Sequence, residues 1–337
     1  MLLTPQKVLQ IRLYRGIYLQ KEFFVDMGLP LSPDKFSGAD RKVLGEAEIA
    51  LKQVQNTTQI VYSSGIAHKL STQCQLSATD IAKKIVSAVL RDTLIKPQDQ
   101  VFSPPFDELL QDSRIKASES GLVQLQVSDR AITAWLNLMI YHLPRLDQQG
   151  KDLEKDQKNR RIREDQYERP STQVTPPSAS TAPGFPSPPS AIFALQHTHA
   201  RCFSLLGLAH RSRLIELNQE PLSIDWQLIS PIAIPWLTNE SQLVLNHPTE
   251  RQLIFQLFAA LDAVPSLVES DSPKTALRLA RKLHQTFQAF YGACPIWGNA
   301  EKSTQLAQAR LGLVMATQRL IHLLIADLLD VCAPLEL

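Results

Sequence analysis

The sequence predicts a mainly α-helical protein of two modules, the first holding a small mixed sheet, with a disordered linker between them. Three observations predict this. Apolar residues recur at three- and four-residue steps through most of the C-terminal half, as on one face of a helix. One stretch, Gly121 to Val127, alternates with period two and reads as a strand with Val123, Leu125 and Val127 on one face. Between these regions, residues 145–190 are first charge-dense and then rich in Pro, Ser and Thr, so they lack the apolar surface needed to offset ordering entropy. The implied boundaries are 1–144, 145–190 and 191–337.

Composition narrows the field. A chain of 337 residues with 44% hydrophobic residues has room for sizeable cores. A formal net charge of +2 is nearly balanced, so a nucleic-acid surface must be local. Cys74, Cys202, Cys294 and Cys332 are scattered without a CxxC pair, which fits a reducing, cytoplasmic setting better than a disulfide framework. Met1 to Lys7 has no apolar signal core. The apolar run from Leu313 to Leu329 contains Arg319, His322 and Asp327, so it reads as a buried helix and no membrane span is expected.

In chain order, Pro5 to about Phe24 reads as a helix through Val8, Ile11, Leu13 and Ile17. Leu29 to Lys42 is turn-rich, Val43 to Val54 looks helical, and Ile60 to Tyr62 is too short to assign. Ser77 with Asp80 resembles a capping box, and Ile81, Ile85, Ala88 and Val89 form the face of the helix it opens. Ser128 caps a further helix carrying Ile132, Trp135, Leu136, Met139, Ile140 and Leu143.

Beyond the linker, Leu195, His199, Cys202, Phe203 and Leu206 form a helical stripe, and Pro248 opens a helix through Leu253, Leu257, Leu261 and Val264. Ser272-Pro273 starts another, whose core face is Ala276, Ala280, Leu283, Phe287 and Phe290 and whose expected stop is Gly292. The last helix is expected from about Ser303 to Val331.

Several segments together carry a resemblance. They are Phe287-Gln288-Ala289-Phe290-Tyr291-Gly292-Ala293-Cys294-Pro295, then Ala309-Arg310-Leu311-Gly312-Leu313-Val314, and the terminal Ala333-Pro334-Leu335-Glu336-Leu337. In order and spacing they resemble the C-terminal DALR anticodon-binding domain of arginyl-tRNA synthetases. Phe193 to Leu206 resembles that domain's opening helix, and His247 to Ile254 a later segment, so the likeness runs from Ala191 to Leu337. Asp80 to Val86 and Gly121 to Ser128 resemble the second half of the family's small N-terminal domain, which contacts the outer corner of tRNA. The place of the family's catalytic domain is occupied here by the Pro-rich segment, and no HIGH-like or KMSKS-like motif is present. The resemblance thus implies a non-catalytic chain. Gln288 stands where the family usually has Asn, and Leu335-Glu336-Leu337 replaces the usual terminus.

Other chemistry finds little support in the residues. His197, His199, Cys202 and His210 do not converge as four zinc ligands would, because His197 and His199 lie on different helix faces. Ser63, Ser64 and Cys294 sit in no nucleophile elbow, and no Gly-rich phosphate loop exists among the 12 glycines. No cofactor, metal or catalytic residue is assigned. Lys274, Arg278, Arg281, Lys282 and Gln285 share the polar face of the Ser272 helix, where cations can neutralise phosphates. Tyr291 at its end is placed to stack on an unpaired base. By position, the resemblance adds Arg201, Arg310 and the chain terminus to the same pocket.

The function expected is a non-catalytic tRNA-binding protein. The competing expectations are a protein-interaction or assembly factor that reuses the DALR fold without RNA, docking through the Pro- and Trp-containing insert at residues 218–242, or an accessory subunit of a separate synthetase.

Overall fold

The computed structural model describes residues 4–18, 49–54, 59–72, 76–92, 113–143, 191–218, 226–270, 272–298 and 303–337. The expected linker at 145–190 lies outside the described residues, as do the turn-rich stretch Leu29 to Lys42, residues 19–24 and Cys74. The fold is mainly helical, with a small sheet in the N-terminal region and a C-terminal helical region.

The N-terminal region opens with α1 (Pro5–Tyr18), whose buried face is Val8, Leu9, Leu13 and Ile17. Then follow β1 (Leu51–Val54), β2 (Val61–Ser64), α2 (Ile66–Ser71), α3 (Ala78–Asp92), β3 (Arg114–Ala117), β4 (Val123–Gln126) and α4 (Asp129–Tyr141). The four strands form an antiparallel sheet in the order β1-β2-β4-β3. Leu51 to Val54, helical by its local pattern, is instead an edge strand. It pairs along its length with β2, and its Leu51 is buried while Lys52 beside it is exposed. Four residues carry too little local signal to resist such pairing.

Two of the expected caps form, at Ser77 and Ser128. Ser77 Oγ accepts from the Asp80 backbone N–H at 3.1 Å and donates to the Asp80 carboxylate at 2.6 Å. Ser128 Oγ accepts from the Ala131 N–H at 3.1 Å. Gly121 takes a positive φ of 78°, and its Cα lies so near the start of α3 that an added Cβ would meet Ala78 at 2.8 Å.

The C-terminal region comprises α5 (Ala191–Arg211), β5 (Glu216–Leu217), β6 (Leu228–Ser230), α6 (Pro248–Ser270), α7 (Pro273–Ala293) and α8 (Thr304–His322), closed by a π-helical turn at Leu323–Asp327. α7 packs on α6, and α8 lies against α5, α6 and α4. Gly292 does not end α7, which runs one residue further to Ala293. Pro295 is the stop, because it forces Cys294 into an extended conformation at φ −121°, ψ 82°. The last helix is likewise shorter than expected. It gives way to the π turn, and Asp330 at φ 53° ends the winding before Val331. Ser272 precedes α7 but makes no side-chain cap, since its hydroxyl donates to Thr275 Oγ1 at 3.0 Å.

α6 and the α8–π-turn run are long and apolar enough to cross a membrane by composition alone, yet both serve as core helices, and 83% of the apolar window of the second is buried inside the protein. The buried residues of both regions form one continuous core. The regions meet at two anchors. At one, Asp129 on α4 pairs with Arg251 on α6 at 3.3 Å and accepts from the Leu243 N–H at 2.8 Å. Beside it Trp236, from the insert, donates its indole N–H to Asn137 on α4 at 2.8 Å. At the other, Asp262 on α6 accepts from Tyr62 on β2 and from the N–H of Gln6 on α1. Trp226 and Trp236 are both buried, so the aromatic part of the insert faces inward.

Candidate nucleic-acid interface

α5 and α7 lie side by side and contain no Asp or Glu between them. α7 is amphipathic because Ala276, Ala280, Leu283, Phe287 and Phe290 recur at helical spacing, and these five are its buried residues. Rolling that stripe onto α6 leaves the opposite face to solvent. Lys274, Arg278, Arg281, Lys282 and Gln285 are all exposed there. No carboxylate among the described residues pairs with these four cations. Such a row is an electrostatic footprint for a polyanion.

Where α7 meets α5, Tyr291 of α7 comes against Arg201 of α5. The Arg201 guanidinium donates to the Tyr291 hydroxyl and stands 5.0 Å from the centre of its ring. The Phe287 ring lies nearly parallel to Tyr291, at 9° and 6.3 Å between centroids. Tyr291 is therefore half-buried and held in one orientation at the edge of the basic stripe. Further along the same seam, Thr198 Oγ1 and His284 Nδ1 are 2.6 Å apart. Burial lowers the His284 pKa, and the neighbouring His197 lowers it further.

α5 also holds the chain terminus. Gln196 Nε2 donates to the Cys332 carbonyl at 2.9 Å, and His199 Nδ1 lies 2.8 Å from the Pro334 carbonyl. The ring of His199 is fully buried and its other nitrogen faces Gln318 Nε2 at 3.1 Å. Burial lowers the His199 pKa, against the opposing pull of the Pro334 bond, which favours the neutral ring at pH 7. With the proton on Nδ1, that ring donates to the tail and accepts from Gln318. Arg201, Tyr291 and the terminal segment are thus gathered on α5.

Arg310 stands apart from them. It is 6% exposed, its Nε pairs with Glu250 at 2.7 Å and its NH1 donates to the Pro295 carbonyl at 2.6 Å. The guanidinium braces α8 to α6 and to the turn after α7. Among the described residues no group of three metal-ligating side chains converges. Cys202 and Cys294 are buried thiols with pKa values raised first by burial, a poor setting for a nucleophile.

The sheet supplies a second polar surface that sequence reasoning missed. Its register places Lys52, Ser63, Gln124 and Lys116 in one cross-strand row, and Val54, Val61, Gln126 and Arg114 in the next. Both rows face away from the core residues Leu51, Tyr62, Val123 and Leu125, and they include three exposed cations and no acid. The alternation Arg114-Ile115-Lys116-Ala117 is the signal that could have found it. Without the pairing partners, four residues do not declare a strand.

Comparison with known proteins places the C-terminal region. Residues 195–337 match the family described as the DALR anticodon binding domain. Two curated relatives are arginine–tRNA ligases. That of Synechococcus sp. (strain JA-3-3Ab) is 28% identical over 140 residues, which is 42% of this chain and 21% of the relative. That of Ruminiclostridium cellulolyticum is 31% identical over 143 residues, 42% of this chain and 22% of the relative. The chain thus spans about a fifth of the length of these relatives. No solved structure matches the chain.

Proposed function

We propose that this chain is a non-catalytic, cytoplasmic tRNA-binding protein whose principal RNA surface is the acid-free pair α5–α7. The observation that carries this reading is the exposed row Lys274, Arg278, Arg281 and Lys282 beside the oriented Arg201–Tyr291 pair, inside the segment that matches an anticodon-binding domain. The row would neutralise phosphates, and the aromatic edge would meet an unpaired base. The polar sheet face, with Lys52, Arg114 and Lys116, would add a second contact on the same RNA, and two contacts on one ligand raise affinity through effective concentration. On this reading the modules 1–144 and 191–337 act together, and the name of the relatives bears on the RNA rather than on the ligation. Neither catalytic signature motif occurs in the sequence. Arg310 contributes indirectly, by fixing α8 under the surface.

Electrophoretic mobility shift with total tRNA at two salt concentrations tests the proposal. The expected result is a salt-sensitive shift that survives unrelated RNA competitor. Arg281→Glu should weaken it about tenfold and lower the salt slope by about one. The reading is wrong if micromolar protein gives no shift, or if the variant leaves both affinity and slope unchanged.

A second reading has its own observation. Ile229 and Ile232, in the insert, are 49% and 96% exposed. Apolar side chains so placed favour protein docking through residues 218–242, and absence of any RNA shift would move the assignment there.

A further inference from the structure

His284 sits where the cation row of α7 meets the Arg201–Tyr291 pair. Arg281 is one turn before it and Tyr291 two turns after it on the same helix. Its Nδ1 is 2.6 Å from the Thr198 hydroxyl of α5, and that hydroxyl also bonds the Ala194 carbonyl at 3.1 Å. A hydroxyl has one proton to give. The carbonyl can only accept it, so His284 must donate its own Nδ1–H to the Thr198 oxygen. Thr198 is fully buried, which anchors the ring by Nδ1 and leaves Nε2 as the nitrogen that gains or loses a proton. The ring is half-buried, and exposed His197 is close enough for its charge to act on it. Neither α5 nor α7 carries a carboxylate. Of the other elements packed against α7, α6 brings Glu250 and Arg251, held by Arg310 and Asp129, Asp262, held by Tyr62, and Glu269. The π turn brings Asp327, and α8 brings Arg319, over Trp226, and His322, against His199.

We propose that His284 is a phosphate contact of the α5–α7 surface, switched on by protonation of Nε2, so that RNA is held more tightly in mild acid. The role rests on the RNA reading of that surface given above. A neutral ring anchored through Nδ1–H turns only a lone pair toward a phosphate at Nε2. The imidazolium offers an N–H donor and a full charge at the same place. It would extend the row Lys274, Arg278, Arg281 and Lys282 toward Tyr291, and so grip the phosphate next to a base stacked on that ring.

The sign follows from linkage and is the same wherever the free ring titrates. Phosphodiesters stay ionised near neutral pH, and an anion beside the ring favours its charged form. The RNA-bound state therefore has the higher His284 pKa, binding takes up a proton, and affinity rises as pH falls. In the free protein, burial and then His197 lower the pKa from the ordinary 6.5, so the gain is complete only below that pH.

Fluorescence anisotropy of labelled total tRNA with the full chain, at constant ionic strength, tests this. Affinity should rise about fivefold from about pH 8 to about pH 6, and the salt slope should steepen by about one. His284→Gln can still donate to Thr198 but never becomes charged. Its affinity at the upper pH should match that of the unaltered protein, and the gain in acid should be lost. His197→Gln should keep most of the gain. A direct reading needs no variant: the His284 imidazole resonance should titrate at higher pH with tRNA bound than without it. A midpoint that stays in place, or a gain that survives in His284→Gln, overturns the role of His284 while tRNA binding itself stands. Absence of tRNA binding at every pH overturns the RNA surface and the role together.

Discussion

α7 and α8 are consecutive in the chain and nearly equal in length, yet they treat arginine in opposite ways. α7 buries five of its 21 residues, and α8 buries thirteen of its 19. On α7 the burial follows one stripe, so Arg278 and Arg281 stand in water, free to meet an outside polyanion. α8 is enclosed by α4, α5 and α6, so Arg310 is inside and needs Glu250 and the Pro295 carbonyl as partners. Residue type is the same in both helices. The number of sides on which a helix is packed decides whether a cation is a contact or a brace.

The strongest way to break this contrast is to remove the partner of the buried arginine. Glu250→Ala leaves the Arg310 charge internal with one carbonyl for company, and it strips the His247 N–H of its acceptor. The expected cost is about 3–5 kcal/mol by chemical denaturation. Joint replacement of Glu250 and Arg310 by Leu should recover much of that cost, because the desolvation penalty disappears with both charges. A loss below about 1 kcal/mol would mean that Arg310 escapes to solvent and belongs with Arg281 after all.

A smaller effect is expected where α8 is packed most closely. An added Cβ at Gly312 would lie 2.4 Å from Cη2 of Trp236 and 3.0 Å from Ile234. Gly312→Ala should cost about 1–3 kcal/mol by thermal or chemical unfolding. Because Trp236 also holds Asn137, the variant should lower amide protection in α4 more than in α7. Equal loss in both helices would show that Trp236 is not the link between the regions.

Much of this arrangement is legible in the residue order alone, and the exceptions have a common cause. The stripe of α7, the Ser128 cap and the strand at Val123 to Gln126 depend on spacing within one segment, and each appears as expected. What the residues hide is set by distant partners. β1 reads as helical because its strand state depends on β2. Gly292 reads as a helix end because its permissiveness is visible locally, whereas the restriction from Pro295 acts through Cys294. Arg310 joins the pocket residues only by position through the resemblance, and nothing near it in sequence reveals its partner Glu250, sixty residues away. The basic rows of the sheet require a register that only pairing supplies. The acid-free character of α5 and α7 needs only their boundaries, so it can be read directly from the residues.

Tyr291 occupies the boundary between the two situations, half-buried against Phe287 and touching exposed Arg201, and it offers the smallest and most discriminating change. Tyr291→Phe keeps the ring, its near-parallel packing on Phe287 and the overlying guanidinium. It removes only the hydroxyl that accepts from Arg201. Since Arg201 is exposed, water can replace that bond, so the stability change should be about 0.5 kcal/mol or less. If the ring is the base-stacking element, tRNA affinity should stay within about twofold, whereas Tyr291→Ala should weaken it about tenfold without altering the salt slope. A tenfold loss in Tyr291→Phe itself would shift the role from the ring to the hydroxyl, and so to hydrogen-bonded recognition. A fold that fails in Tyr291→Ala but holds in Tyr291→Phe would place the ring with Phe287 in the core, and the RNA surface would then end at the cations of α7.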